Sequence, residues 1–302
     1  MNVIISILHY EKTQDTLECL NSVLRSNLEG IEIRTYVLDN GSSEKLVIDS
    51  KKYSQIGLVV LRSDKNTGFT GGHNLIYEKI QDMNFDYLLL LNNDSLLSED
   101  CLKKLIKGSK KELVGAVVPK IYFTKGKEFH KDRYKESEKG KVIWYAGGLI
   151  DWDNVQSIHR GVDEVDVGQY DESCEINFAT GACLLIKKEV IKKVGLFDER
   201  YFLYYEDADL SMRIVKSSFR ILYYPEAYMW HNNAGSSSSG SELHDYYLTR
   251  NRLIFGMKYS PIVVRAHLLR EALKQLINGR KWQKIGVKDY FLRKYGKGSF
   301  FT

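Results

Sequence analysis

The first third of the chain alternates short apolar runs with segments of helical periodicity. The apolar runs predict four strands, which are Val3–Leu8, Ile31–Leu38, Leu58–Leu61 and Tyr87–Leu91. Apolar or small residues recur at helical spacing from Thr13 to Leu28, and a second helical segment ends near Ile80. Strands that alternate with helices favour a mostly parallel sheet with helices on its faces. The pattern therefore predicts an α/β fold.

The rest of the chain is less regular. It predicts a strand within Ile176–Lys187, helices over Lys188–Val194 and Asp207–Ser217, and a strand at Phe219–Tyr224 that ends before Pro225. We expect the charged segment 125–141 and the acidic segment 151–172 to be largely irregular, and Ser236–Ser239 to form a flexible loop.

From Ser241 onward the periodicity is helical, with breaks near Pro261 and Gly279. We therefore predict an α/β domain over residues 1–240, followed by a helical C-terminal region over residues 241–302.

The amino-acid composition indicates the cellular compartment of the protein. The chain has 302 residues, of which 43% are hydrophobic and 27% charged, as in ordinary soluble proteins. Its N-terminal apolar run stops at His9, which is too short for a signal peptide or a membrane span. The four cysteines show no metal-ligand spacing, so we expect reduced thiols and a cytoplasmic protein.

The segment 253–302 has eleven Lys and Arg residues against two acids, so it carries a net charge of +9 and the rest of the chain −4. Large apolar residues are interleaved with these cations. Such helices suit an anionic membrane face, although the same apolar residues could pack on the α/β domain or a second subunit. We expect no nucleic-acid partner.

Polar and glycine motifs follow three of the predicted strands. They are Asp39-Asn40-Gly41-Ser42, the loop Asn66–Asn74 and Asn92-Asn93-Asp94. Open α/β sheets bind ligands beyond the carboxyl ends of their strands, so these motifs predict one cleft. Asn66 and Gly68 would allow close approach of a nucleotide, and Asp94 suits Mg²⁺ or Mn²⁺. Taken singly, each motif is also compatible with a turn or a helix cap.

Three carboxylates stand together at Glu206, Asp207 and Asp209, directly after several aromatic residues. Such a cluster needs a cation, a proton or a substrate to balance it. The alternative is a helix start, because acids favour the positive end of the helix dipole.

Two further segments carry candidate ligands. His231 could bind Mn²⁺, although a lone histidine is more often structural. The arginines of Tyr246–Arg252 suit diphosphate oxygens or, alternatively, an ordinary helix face.

In this order the motifs resemble the family 2 glycosyltransferases, which have the nucleotide-sugar-binding GT-A fold. The resemblance runs from about Val3 to about Leu253. It is strongest in three stretches, which are Thr180–Ile186, Gly195–Glu199 and Tyr205–Leu210. The segments 166–170 and 246–253 resemble the rhamnosyltransferase-like subgroup.

The resemblance implies roles for individual residues. Asp207 would be the general base, Asp94 and His231 the metal ligands, and Asp39 the contact to the donor base. Asn66, Gly68, Glu206, Asp209 and Arg250 would bind substrate, with Arg250 on the diphosphate. Asn92 replaces the first acid of the metal-binding triplet, which leaves the metal site poorer in negative charge.

The implied function is inverting, metal-dependent transfer of one sugar from dTDP-rhamnose or a UDP-sugar, with Mn²⁺ or Mg²⁺. The acceptor would be a glycan or a lipid-linked sugar of cell-surface polysaccharide synthesis, met at the inner face of the membrane. A homodimer is a further expectation. The Gln-x-x-Arg-Trp motif of processive synthases is absent from the sequence, which favours one sugar per encounter.

Two other classes remain to be compared. A non-catalytic nucleotide-sugar-binding module stays open because of Asn92. A nucleotidyltransferase would have a lysine-rich phosphate loop after the first strand, and the segment His9–Lys12 does not supply one. Selectivity for the sugar is expected to depend on residues within 125–172.

Overall fold

A computed structural model describes residues 1–232 and 241–301. Its helices are α1 (Thr13–Leu24), α2 (Gly68–Ile80), α3 (Cys101–Ser109), α4 (Lys188–Val194), α5 (Glu206–Lys216), α6 (Glu242–Tyr259), α7 (Ile262–Asn278) and α8 (Lys281–Phe291). Its strands are β1 (Asn2–His9), β2 (Glu32–Asn40), β3 (Val59–Ser63), β4 (Tyr87–Asn92), β5 (Ser95–Leu97), β6 (Val114–Phe123), β7 (Ile143–Tyr145), β8 (Gly148–Asp151), β9 (Gln156–His159), β10 (Cys174–Ile176), β11 (Cys183–Lys187) and β12 (Arg220–His231). The predicted α/β class is confirmed.

One sheet of ten strands organises the molecule, with the order β10-β12-β6-β11-β4-β1-β2-β3; β5 pairs with β12 and β7 with β6. The strands β3, β2, β1 and β4 are parallel, as predicted. The rest of the sheet is mixed, since β11 runs antiparallel to both β4 and β6. The reason is topological: the chain leaves β6 at the carboxyl edge and re-enters the sheet from that edge.

The middle strands are buried on both faces. Leu88–Leu91 of β4 are fully buried, and so are Leu184 and Ile186 of β11. Continuous apolar runs of this kind are expected where helices cover both faces of a sheet. These buried central strands support the polar residues at the strand ends.

The strand predicted to end at Tyr224 continues through Pro225 to His231. Its register with β6 shifts between Tyr223 and Tyr228. Such an irregularity accommodates a proline, which cannot donate a ladder hydrogen bond. Trp230 and His231 therefore belong to this same strand, and His231 lies opposite Ser95 of β5.

The connecting segments largely follow expectation. Residues 125–141 contain only a 3₁₀ turn at Lys131–Arg133, whereas 151–172 include β9, which pairs with β8. The predicted strand over 176–187 is wrong in its first part, because Asn177–Ala182 form a connection between β10 and β11. The predicted loop Ser236–Ser239 lies outside the described residues.

The helices α6, α7 and α8 break near Pro261 and Gly279, as predicted. They contribute Leu253, Phe255, Leu268 and Val287 to the same hydrophobic core as the sheet. The domain boundary near residue 240 stays a prediction. Among the helices of residues 1–232 and 241–301, none combines the length and hydrophobicity that a membrane span requires.

Candidate active site

A cleft of about 1120 Å³ opens at the carboxyl edge of the parallel strands. Its lining includes six of the side chains or loop positions that the sequence singled out, which are Asn66, Gly68, Asp94, Glu206, Asp207 and His231. The motifs at the strand ends thus come together in one cleft, as expected for ligand sites at the carboxyl ends of the strands of an open α/β sheet. The opposite wall comes from α6 and α7, through residues such as Leu248, Arg252, Leu268 and Gln275.

One end of the cleft holds Asp94 and His231. A His231 Nε2–Asp94 Oδ1 distance of 3.1 Å joins them, and the Asn92 amide nitrogen lies 3.4 Å from the same ring nitrogen. Burial raises the pKa of Asp94, but His231, a backbone hydrogen bond and Lys12 together outweigh burial, so the pKa lies below its ordinary value. This carboxylate is therefore ionised at neutral pH.

The imidazole of His231 is set by its surroundings. Its ring packs on Trp144 with centroids 4.5 Å apart, and its Nδ1 is buried without a hydrogen-bond partner among the described residues. Carboxylate and amide oxygens with one imidazole suit Mn²⁺, and less closely Mg²⁺. Within the described part of the chain no group of three or more His, Cys, Asp or Glu side chains could hold a metal ion. An ion at Asp94 and His231 would therefore need substrate oxygens to complete its shell.

The other end of the cleft holds Asp207, in the first turn of α5. Its Oδ1 accepts from the Ala208 N–H at 2.8 Å and its Oδ2 from the Gly181 N–H at 3.3 Å. Burial raises the pKa of Asp207 to about 6, although these two backbone donors act against the shift. The side chain nevertheless lines the cleft, so a ligand can reach it.

Glu206 stands beside Asp207 without a cation. Burial and then the neighbouring Asp207 charge raise its pKa well above the ordinary value. Its Oε2 is buried and has no hydrogen-bond partner among the described residues. Glu206 is thus held in its neutral form, which spares Asp207 the repulsion of a second carboxylate.

The backbone that leads into α5 is strained. Phe202, Tyr204 and Tyr205 have φ values of +67°, +67° and +69°, in the left-handed region that bulky residues avoid. Such conformations persist only where the surroundings impose them, and they cluster at functional sites. A local constraint must therefore hold residues 202–205.

Arg250 and Asn251 of α6 supply that constraint. The Asn251 amide donates to the carbonyl oxygens of Tyr201, Leu203 and Tyr204 at 2.8–2.9 Å. The Arg250 guanidinium donates to the carbonyls of Arg200 and Tyr201 at 3.2 and 3.0 Å. Both side chains are fully buried. We call these two residues the α6 clamp.

The glycine loop is held against the same segment. The Phe69 and Thr70 N–H groups at the start of α2 donate to the Phe202 carbonyl at 2.8 and 3.3 Å. Gly68 has a φ of +76°, and a Cβ there would lie 2.5 Å from Phe202. The glycine therefore serves a close contact inside the protein, and these two N–H groups of α2 are already engaged.

The comparisons with known proteins agree with this architecture. Residues 2–252 match the family model described as glycosyltransferase like family 2. The chain belongs to this family.

Two curated relatives are rhamnosyltransferases by name. The N-acetylglucosaminyl-diphospho-decaprenol L-rhamnosyltransferase of Mycobacterium tuberculosis is 38% identical over 69 residues, which are 23% of this chain and 22% of that protein. Rhamnosyltransferase WbbL of Escherichia coli is 23% identical over 275 residues, with 86% of this chain and 96% of that protein covered.

A solved structure shares the fold. GalNAc-T7 with UDP, GalNAc and Mn²⁺ superposes with a TM-score of 0.66 at 14% identity, covering 97% of this chain and 54% of that one. The GT-A fold expected from the sequence is confirmed. The chain thus spans about half of that structure, and its alignment with the mycobacterial relative spans about a fifth of that protein.

Three residues that the sequence predicted to bind substrate form hydrogen bonds or ion pairs within the protein instead. Arg250 is fully buried and donates to backbone carbonyls in the α6 clamp, and its expected contact with the diphosphate stays a prediction. Asp209 is fully buried and pairs with Arg213 and Lys258, both at 2.7 Å. It anchors α5 and does not line the cleft.

Asp39 is the third. Its side chain is 1% exposed, forms an ion pair with Arg62 and accepts from the Ser42 and Leu46 N–H groups at 3.1 and 3.0 Å. Asp39 is thus engaged within the protein, and its expected contact with the donor base stays a prediction. Its neighbour Asn40 lines the cleft and donates to the Gly68 carbonyl at 3.0 Å.

Several residues that line the cleft were not predicted from the sequence. Trp144, Gln156, Ser157 and His159 line the cleft from β7 and β9, within or beside the segment expected to determine sugar selectivity. Burial lowers the pKa of His159 to about 4, so its imidazole is neutral. Asn251 was also missed, although an Asn between two Arg residues was a visible pattern.

Proposed function

We propose that this chain catalyses the transfer of a single sugar from a nucleotide-diphosphate sugar to an acceptor hydroxyl, with inversion at the anomeric carbon. The observation that carries the proposal is the Asp207 carboxylate, which lines the cleft, forms no ion pair within residues 1–232 and 241–301, and has its pKa raised to about 6. A general base works best when its pKa lies near the operating pH. The family membership supports the same chemistry.

The donor in this proposal is dTDP-rhamnose or a UDP-sugar. Two relatives are named rhamnosyltransferases, and the solved neighbour contains UDP. The acceptor is a glycan or a lipid-linked sugar, since the mycobacterial relative has N-acetylglucosaminyl-diphospho-decaprenol in its name. The reaction would then belong to cell-surface polysaccharide synthesis on the cytoplasmic side of the membrane.

Asp94 and His231 would hold Mn²⁺ or Mg²⁺ together with donor oxygens. When bound, the ion would supply positive charge to the leaving diphosphate. The proximity of one ionised carboxylate and one imidazole supports this assignment, and Mn²⁺ accompanies UDP in the solved neighbour.

The protein's own groups move the proton. Asp207 accepts it from the acceptor hydroxyl while that oxygen bonds to the anomeric carbon and the bond to the diphosphate breaks. The Gly181 and Ala208 N–H groups hold the carboxylate in place. Help of this kind contributes roughly 10²–10⁴-fold to the rate. Because Asp207 must be ionised, we expect kcat to rise with pH through about 6.

A non-catalytic nucleotide-sugar-binding module is the second candidate, and Asn92 favours it because the amide removes one negative charge from the metal end. The deciding experiment incubates the chain with labelled dTDP- and UDP-sugars, with Mn²⁺ or with EDTA. Transfer or hydrolysis of a sugar supports the enzyme. The module is established if a donor raises the melting temperature while neither transfer nor hydrolysis occurs. A donor at 100 times its Kd adds about 2.7 kcal/mol to the free energy of unfolding.

A further inference from the structure

Helix α7 has two different faces. One face lines the cleft, with Leu268 and Ala272 buried and Glu271 and Gln275 beside them. The opposite face is exposed to solvent. Helix α7 therefore separates the cleft from the solvent, and a molecule bound to its outer face would lie next to the cleft.

The outer face of α7 carries apolar residues toward both of its ends. Its exposed residues include Val263, Ala266, Leu273 and Ile277, which recur at spacings of three, seven and four. The exposed fraction is 64% for Val263, 57% for Leu273 and 73% for Ile277. Such spacing puts side chains on one side of a helix. Exposed apolar residues are ordinary when scattered, but here they form a stripe on one side of a helix, interrupted by the exposed Arg270.

Cations flank this stripe. Arg270 and Lys274 are exposed on the same side of α7, and Lys281 and Lys288 are exposed on α8. The two acids of residues 261–301 are both engaged: Glu271 pairs with Arg252 at 2.9 Å, and Asp289 is buried against Tyr246 and Ser299. The outer face therefore presents positive charge, and neither acid of residues 261–301 is left unpaired to oppose it.

The charge distribution decides between two occupants. A second copy of this chain, docked through the same face, would bring Arg270 and Lys274 close to their own counterparts and would be repelled. An anionic lipid surface offers charge of the opposite sign and an apolar layer beneath it.

We propose that the outer face of α7 docks on an anionic membrane surface, which brings the cleft to acceptors held in that membrane. The part that concerns acceptors rests on the proposed function. The docking itself does not, because it needs neither a donor nor turnover. Helix α7 lies in the lipid headgroup region in this arrangement, and its inner face, with the cleft-lining Glu271 and Gln275, meets the acceptor.

The test is co-sedimentation of the whole chain with vesicles of phosphatidylglycerol and phosphatidylcholine, and with vesicles of phosphatidylcholine alone. We expect binding to the first kind only, and release as salt rises. Leu273→Ser with Ile277→Ser should abolish it. Each of Arg270→Gln, Lys274→Gln and Lys281→Gln should weaken it about fivefold, the equivalent of about 1 kcal/mol per basic residue.

Matched controls lie elsewhere on the surface. Val47 and Val167 are 81% and 84% exposed, and Lys51 and Lys127 are exposed lysines outside α7 and α8. Their changes to Ser and Gln should leave vesicle binding intact. Circular dichroism and melting temperature establish that each variant is folded.

Three results would overturn the proposal. The first is absence of binding at low salt, and the second is equal binding to neutral vesicles. The third is a change of sedimentation coefficient without vesicles in the Leu273 and Ile277 variant, because it would make this face a dimer interface. A chain that binds anionic vesicles but transfers no sugar would refute only the proposed function.

Discussion

The two ends of the cleft are built in opposite ways. The Asp94–His231 end stands on neighbouring strands, and its acid has a histidine partner 3.1 Å away. The Asp207 end stands on a strained segment, and Glu206 and Asp207 form no ion pair in the part of the chain that the structure describes. Sheet register sets the first, whereas contacts from α6 set the second. The charge of Asp94 is thus compensated by His231 within the protein, whereas the charge of Asp207 would be neutralised by a proton from the substrate.

The largest effect is expected at the unbalanced end. Asp207→Asn conserves shape and removes only the basic oxygen, so transfer should fall by about 10²–10⁴-fold. Donor affinity, measured by calorimetry, should stay the same. Equal turnover of variant and wild type would exclude Asp207 as the base.

The balanced end should respond through binding. Asp94→Ala removes the ionised ligand, so affinity for UDP or dTDP in the presence of Mn²⁺ should fall by about 10-fold or more. Affinity for the bare nucleoside should change little. The metal assignment fails if EDTA leaves full activity or if both ligands lose affinity equally.

The α6 clamp can be broken without touching the cleft. Asn251→Ala removes the amide that donates to three carbonyl groups of the strained segment. The Tyr201 carbonyl keeps Arg250 as a donor, whereas the Leu203 and Tyr204 carbonyls lose this partner, and each buried group left unpaired costs about 1–3 kcal/mol. We expect a lower melting temperature and a lower kcat, with the donor KM nearly unchanged. Asn154→Ala, at an exposed asparagine, is the control. An unchanged kcat in Asn251→Ala would show that the clamp does not position Asp207.

The smallest effect is expected at Glu206. Because burial already keeps this side chain neutral, Glu206→Gln changes neither its charge nor its size appreciably. The pH profile of kcat should keep its midpoint near 6, which reports Asp207. A shift of that midpoint would show that Glu206 is ionised in the native protein.

Sequence reasoning succeeded where position along a strand decides the outcome. Asp94 follows β4, as predicted, and the pairing of β5 with β12 brings it next to His231. Sequence reasoning did not foresee distant partners: Asp209 meets Lys258, and Arg250 meets the carbonyl of Tyr201, each about fifty residues away. Buried arginine and aspartate look identical to their exposed counterparts in a sequence. Trp144 and His159 were missed because lone residues in an irregular segment carry no pattern.

The place of β11 in the sheet has a consequence for synthesis of the protein. This strand, Cys183–Lys187, lies between β4 and β6, which precede it in the chain by some sixty residues or more. Until it leaves the ribosome, β4 and β6 both keep an unpaired apolar edge, and such edges attract other chains. The nascent chain therefore keeps the edges of both β4 and β6 unpaired until residue 187, and β6 also lacks its neighbour β12 until residue 231. Chaperone demand should be highest before residue 187, while both strands lack β11.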